Sequence, residues 1–330
     1  MTPNAREQSR RDAPAARLNE TPHRHETPQR GVSTGRQYLD PAVLQKIGAL
    51  DLVAREVVEG VRVGIHRSPV RGFSTEFSHH RPYVPGDEVR HVDWRVFART
   101  QRYYVKLYEA ETDFAAHLLL DASSSMRYAS GKASKLEYAK FLAASLAYLI
   151  VNQRDSAGLA VFDAELRSYV EPKGSMAIIG DICRELENAR PIPHTNVAAI
   201  LHQFAERISR RGFVILFSDL LDDTDGFISG IDHLRFRGHN VIVFHVLDPH
   251  ELEFPFDGSC RFDGLEGEPE LVTQPKRIRA AYLAELESFL KQVKGACERS
   301  HADYVLVDTS KPVDLVLSSY LIGRMKRNSV

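Results

Sequence analysis

From Asp113 onward short apolar runs alternate with longer amphipathic stretches, and this alternation constrains the chain more than any other feature. Strand, helix, strand in repetition is the pattern of an α/β sheet with helices on both faces. The spacing predicts strands at 115–121, 156–162, 166–170, 213–219, 241–247 and 304–307. One helix starts at Ser134, where Ser134 and Glu137 have capping-box spacing, and runs through the apolar stretch 141–151. A second carries Val197, Ile200, Leu201, Phe204 and Ile208 at helical spacing, ends in Arg210 and Arg211, and is stopped by Gly212. A third, over 275–298, places Ile278, Tyr282, Leu286, Phe289 and Val293 on one face. These stripes are core positions, and 257–274 is expected to be a loop or hairpin insertion.

The part before Asp113 has a different texture. Residues 1–36 hold Pro3, Pro14, Pro22 and Pro28, seven Arg and almost no large apolar side chains. Such a segment cannot offset its ordering entropy, so a disordered basic tail is expected. Val43, Leu44, Ile47, Leu50, Leu52 and Val53 predict a helix over 41–59, closed by Gly60. Gly, Pro and Arg then punctuate β-rich pieces such as 102–108, which suggests a small β-containing subdomain with the single Trp94 as its core anchor. The expected organisation is a tail (1–36), a helix plus β subdomain (37–112) and a large α/β domain (113–330).

Charge follows the same division. The chain has 43 Lys+Arg against 44 Asp+Glu, a net −1, which gives no general footprint for nucleic acid. That near-neutrality is a cancellation: through Lys106 there are 18 basic and 12 acidic residues, and beyond it 25 against 32. The two parts therefore offer complementary or separate partner surfaces. Cys183, Cys260 and Cys297 form no CxxC pair. The apolar run 141–151 spans 11 residues, including Ser145 and Tyr148, well short of the roughly 20 that cross a bilayer. With no secretory pattern in the first 36 residues, the expectation is a cytoplasmic protein in a reducing compartment.

The chemistry concentrates at Asp121-Ala122-Ser123-Ser124-Ser125, a DxSxS sequence directly after the apolar Leu118, Leu119 and Leu120. In open α/β sheets ligands bind beyond the carboxyl ends of the strands. One carboxylate and two hydroxyls in a turn suit a hard divalent cation, which prefers oxygen and keeps several waters. Thr195, in a loop between two helices, and Asp219, at the end of a later apolar strand, supply two more oxygens for the same place. The alternatives are an Asp/Ser-rich turn that only caps the Ser134 helix, a metal-free scaffold in which these oxygens bond to one another, or a phosphohydrolase using Asp121. The last meets an objection: haloacid dehalogenase-type phosphatases carry a second Asp where Ser123 stands.

Other catalytic patterns fail. Gly131-Lys132-Ala133-Ser134 looks like the end of a P-loop, but position 126 is Met where Gly is needed and Ala133 breaks the Lys-Ser/Thr step. No GxSxG elbow or HExxH helix occurs. The adjacent His79 and His80 lack the i, i+4 spacing of a helical zinc site. Asp222, Asp223 and Asp225 beside Asp219 suit the solvated start of a helix, with a rim biased against acidic partners or a second cation site as the alternatives.

The combination of DxSxS, a Thr about 70 residues on and an Asp ending a later strand resembles the metal-ion-dependent adhesion site of von Willebrand factor A domains. The resemblance implies Mg²⁺ or Mn²⁺ held directly by Ser123, Ser125 and Thr195, with Asp121 and Asp219 acting directly or through water. It also implies a use: an acidic residue of a partner protein completes the coordination shell. Upstream, Arg81, Tyr83, Pro85-Gly86-Asp87, Arg90, Asp93-Trp94 and Ala98-Arg99, preceded by Gly72-Phe73-Ser74 and Glu76-Phe77, spell a pattern that resembles the prokaryotic family called domain of unknown function 58. The likeness covers roughly residues 40–250. It implies a von Willebrand factor A-like fold, no enzymatic activity, and a MoxR-type AAA+ ATPase or its client as partner, in the assembly or activation of other complexes. Many members carry membrane helices before this region, and this sequence shows none there.

Overall fold

The large domain is built on a six-stranded sheet whose strand order is not the chain order. The computed structural model describes residues 76–85, 92–109, 115–193, 195–265 and 270–328. The expected tail, the helix over 41–59 and the Gly86-Asp87 turn lie outside the described residues. The elements run β1 (Glu76–Pro82), α1 (Trp94–Thr100), β2 (Tyr104–Glu109), β3 (Ala115–Asp121), α2 (Lys135–Asn152), β4 (Ser156–Phe162), β5 (Leu166–Lys173), α3 (Ala177–Asn188) and α4 (Val197–Arg207). They continue with β6 (Phe213–Ser218), α5 (Thr224–Phe236), β7 (Asn240–Leu247), α6 (Pro249–Glu253), β8 (Cys260–Phe262), β9 (Leu271–Thr273), α7 (Pro275–Arg299), β10 (Asp303–Asp308) and α8 (Val313–Asn328).

In the sheet the order is β10-β7-β6-β3-β4-β5. All neighbours are parallel except β4 and β5, which pair antiparallel. Counting sheet strands along the chain, this is the doubly wound order 3-2-1-4-5-6 with its third strand reversed. The chain leaves β3 toward one edge and returns through β6 to the other, so the carboxyl ends of β3 and β6 flank the topological switch point. Parallel strands covered on both faces are near-continuous apolar runs, and Leu118, Leu119 and Leu120 are fully buried. One face is sealed by α2, α3 and α8, through residues such as Leu142, Ile182 and Leu317. The other is sealed by α4, α5 and α7, through Phe204, Ile231 and Val293.

The capping box at α2 is present in full: Ser134 Oγ accepts from Glu137 N at 3.1 Å, and Glu137 Oε2 accepts from Ser134 N at 3.3 Å. Two expectations are corrected. Helix α4 does not run on to Gly212; it ends at Arg207, with Ile208 extended. Gly212 serves a different need, because a Cβ there would lie 2.2 Å from the Ala115 carbonyl where β6 begins beside β3. Trp94 is not a core anchor and is 54% exposed. Asp93 caps α1 through its Oδ1, which accepts from Arg95 N at 3.0 Å, and this start turns Trp94 outward. Phe97 instead stacks on Tyr103, with ring centroids 4.4 Å apart.

The β1–β2 ribbon is antiparallel and separate from the main sheet, and His80 Nε2 meets Asp93 Oδ2 at 2.8 Å beside it. The 257–274 insertion is a hairpin, β8–β9, whose Phe262 stacks on Phe254. No helix among the described residues is long and apolar enough to cross a membrane.

Candidate metal centre

The site begins where β3 runs out. Ala122 N–H still bonds to Phe162 O at 2.7 Å, and then a short 3₁₀ turn, Ser125–Arg127, reverses the chain. Asp121 drives that reversal: its Oδ1 accepts from Ser123 N at 2.8 Å, the local side-chain to backbone bond that Asp uses to make turns. The result brings Ser123 Oγ and Ser125 Oγ to 3.0 Å. Asp121 and Ser123 have no exposed surface, and Ser125 is buried as well.

The neighbouring strand supplies the other side. Ser218 Oγ donates to Asp121 Oδ2 at 2.6 Å and accepts from Leu220 N at 3.0 Å. Leu220 adopts φ +54°, the left-handed turn that starts the chain away from the sheet. Between them, the fully buried Asp219 directs Oδ2 at Lys135 Nζ (2.7 Å) and Oδ1 at Leu221 N (3.3 Å). Its main chain is fixed from β7, where His245 Nε2 lies 2.8 Å from Asp219 O. Burial pushes His245 down to about 4. Its ring is therefore neutral at pH 7, Nε2 donates to the Asp219 carbonyl, and Nδ1 accepts from Tyr304 OH at 2.9 Å.

Thr195 arrives on the loop between α3 and α4. Ile192 N–H bonds to Ala122 O at 2.9 Å, and Asn196 N–H to Asp163 O at 3.3 Å, so the loop is stitched to the ends of β3 and β4. Asn196 then caps α4 through Ala199 N at 2.9 Å, and Asp222 Oδ2 accepts from Val197 N at 3.0 Å. Amid these bonds, Thr195 Oγ1 is buried and has no hydrogen-bond partner.

Hydrogen bonds thus join Asp121, Ser123, Ser125 and Ser218 directly, with Asp219 adjacent in the chain. Thr195 sits on a loop pinned to the same turn. Burial, reinforced by the charge of Asp219, pushes the Asp121 carboxyl up to about 7, against the bonds from Ser218 and Ser123 that favour its ionised form. A cation here would offset both influences. Among the described residues no three His, Cys, Asp or Glu side chains form a metal cage. The donor set is instead hydroxyl-rich, with two carboxylates, which suits a hard cation that retains water. The orphaned Thr195 oxygen and the raised Asp121 carboxyl both fit such an ion.

Sequence reasoning missed Ser218, Lys135, Glu251 and His245. Ser218 was legible as the inward neighbour of Asp219. Lys135 carried a weaker signal, a cation in the first turn of a helix, where the dipole disfavours it.

A mostly parallel sheet in this order, a reversed third strand, and a DxSxS turn at the switch point define a von Willebrand factor A-like α/β protein. The sequence profile of the family described as "protein of unknown function DUF58" matches residues 79–289, and the chain belongs to that family. Uncharacterized proteins of Mycobacterium bovis and Mycobacterium tuberculosis are 25% identical over 260 residues, covering 75% of this chain and 81% of theirs. An aerotolerance-related membrane protein from Bacteroides fragilis is similar over 65% of this chain and 99% of its own, at 18% identity and TM-score 0.46. The SpRpn10 VWA domain is similar over 64% and 94%, at 12% identity and TM-score 0.36.

Proposed function

We propose that the protein is a non-enzymatic interaction module that binds Mg²⁺ or Mn²⁺ through Asp121, Ser123, Ser125, Thr195 and Asp219 and uses the ion to hold an acidic side chain of a partner. The observation that carries the reading is Thr195 Oγ1, a buried oxygen without a hydrogen-bond partner on a loop tied to the DxSxS turn. Leaving such a group unsatisfied is costly, and a cation satisfies it. The hydroxyl donors add no charge, so a bound dication keeps enough positive charge to attract a carboxylate. The partner in this reading is a MoxR-type AAA+ ATPase or its client, met in the cytoplasm, in the assembly or activation of other complexes. Full burial of Asp121, with both oxygens already bonded, disfavours it as the nucleophile of a phosphohydrolase.

The competing reading is a metal-free scaffold. It draws on the Ser123–Ser125, Ser218–Asp121 and Lys135–Asp219 bonds, which already satisfy much of the site internally. Calorimetric titration separates the two. Mg²⁺ and Mn²⁺ are expected to bind the wild type and not Asp121→Ala/Ser123→Ala; no wild-type binding, or equal binding by the folded variant, sinks the metal reading. Capture of a purified MoxR-type ATPase that is lost in EDTA tests the partner.

A further inference from the structure

Lys135 is the group in this region that the proposed function leaves without a task. It occupies the first position of α2, at the positive end of the helix dipole. Its side chain is completely buried. Nζ donates to Asp219 Oδ2 at 2.7 Å and to Glu251 Oε1 at 2.6 Å. A carboxylate oxygen on each of two sides pairs the buried ammonium, the condition under which a charge is kept away from water. Glu251 is held in turn: its Oε2 accepts from Asp248 N at 2.8 Å, and its carbonyl accepts from Tyr282 OH at 2.9 Å. One ammonium therefore ties together the chain segments that follow β3, β6 and β7 at the carboxyl edge of the sheet.

A core that needed only cohesion at this point would be better served by apolar side chains, because a buried ion pair rarely outperforms them. The arrangement has an electrostatic consequence instead. Asp219 faces a resident cation on one oxygen while standing next to the Asp121 turn, and a dication bound there has to share it.

We propose that Lys135 is a built-in counter-cation that sets how tightly the site holds its metal, weakening the grip through Asp219 while Glu251 limits that weakening. The inference rests on the metal reading above. It makes Lys135 and Glu251 positioning residues with opposite signs. Removing the ammonium returns the full charge of Asp219 to the metal, whereas neutralising Glu251 leaves the ammonium less compensated and opposes it. A merely structural role predicts the same sign for both, since each change loosens the same cluster.

The test is calorimetric titration of the full-length protein with Mn²⁺ at fixed pH and ionic strength, with folding checked by circular dichroism. Lys135→Met is expected to bind Mn²⁺ about tenfold more tightly than wild type, and Glu251→Gln at least about threefold more weakly, as the loss of one nearby positive charge and of one nearby negative charge dictates. If Lys135→Met does not fold, the comparison of Glu251→Gln with Lys135→Met/Glu251→Gln decides, because the double variant must bind more tightly than the single. Wild-type binding with Lys135→Met, or the double variant against its parent, unchanged or weaker overturns the role of Lys135 and leaves the metal reading standing. No Mn²⁺ binding by the wild type overturns both.

Discussion

Thr195 shows how one side chain separates stability from binding. Its Oγ1 is buried without a hydrogen-bond partner, and a hydroxyl in that state costs about 1–3 kcal/mol relative to a satisfied one. Val has nearly the same shape without the oxygen. Thr195→Val is expected to raise the unfolding free energy of the metal-free protein by about 1 kcal/mol, read by urea denaturation in EDTA, and to weaken Mn²⁺ binding in the same preparation. A stability loss in EDTA would mean that the oxygen is satisfied within the protein and would remove the main support for a cation there. Ser134→Ala gives a contrast at the other end of the turn. It deletes an ordinary helix cap and should cost about 1 kcal/mol whether or not metal is present.

At the level of elements, what could be read from the sequence were the pieces whose signal is local. Strands β3, β4 and β6 announce themselves because both faces are buried and each carries an apolar run, Leu118–Leu120, Leu159–Phe162 and Phe213–Phe217. Ser134 and Glu137 announce α2 because their bonds close within one turn. Strand order was carried by no local signal; it depends on which helices cover which face. The same limit applies to the site. Asp121, Ser123 and Ser125 stand out as a motif, but in the Lys135–Asp219–Glu251 cluster the bonded partners lie 84 and 116 positions apart, and Lys135 in isolation reads as a solvated helix residue. Trp94 misled because bulk suggests core, while the Asp93 cap decides which way the first turn faces.

The reversed edge strand illustrates a tertiary demand of this kind. A Cβ on Gly158 of β4 would meet Val170 O at 2.5 Å and Pro172 N at 2.7 Å, where the register with β5 shifts between Ala157 and Leu159. These are backbone atoms and cannot step aside. Gly158→Ala is expected to destabilise by about 1–3 kcal/mol, the usual range for overpacking, seen as a lower urea midpoint; an unchanged midpoint would show that β5 can detach from β4 at no cost.

On the scale of the whole molecule, a switch-point site at one edge of the sheet depends on a core that stays intact as conditions change, and the core contains a pH-sensitive element away from that site. His117, near the amino end of β3, is buried and stacks on Tyr169 of β5, whose OH lies 3.2 Å from its Nδ1. Phe204 of α4 meets its ring edge-on. Burial, followed by the repulsion of His239 and of Arg207, pushes His117 down to about 4 from 6.5. The sign follows from proton counting. Above pH 6.5 both folded and unfolded chains hold His117 neutral, and its native environment carries no penalty. Between about 6.5 and 4 the unfolded chain binds the proton and the folded one does not, so stability falls as pH falls. Over the whole window the loss attributable to His117 is about 3 kcal/mol, from 1.36 kcal/mol per unit of pKa. His117→Phe keeps the stack and removes the proton site. Its unfolding free energy is expected to drop less steeply than that of wild type between pH 6.5 and 4.5, with a slope smaller by up to one proton, in parallel urea titrations in EDTA. Parallel slopes for the two proteins would mean that His117 takes up a proton in the folded state, and that this end of the core opens to water before the rest of the sheet gives way.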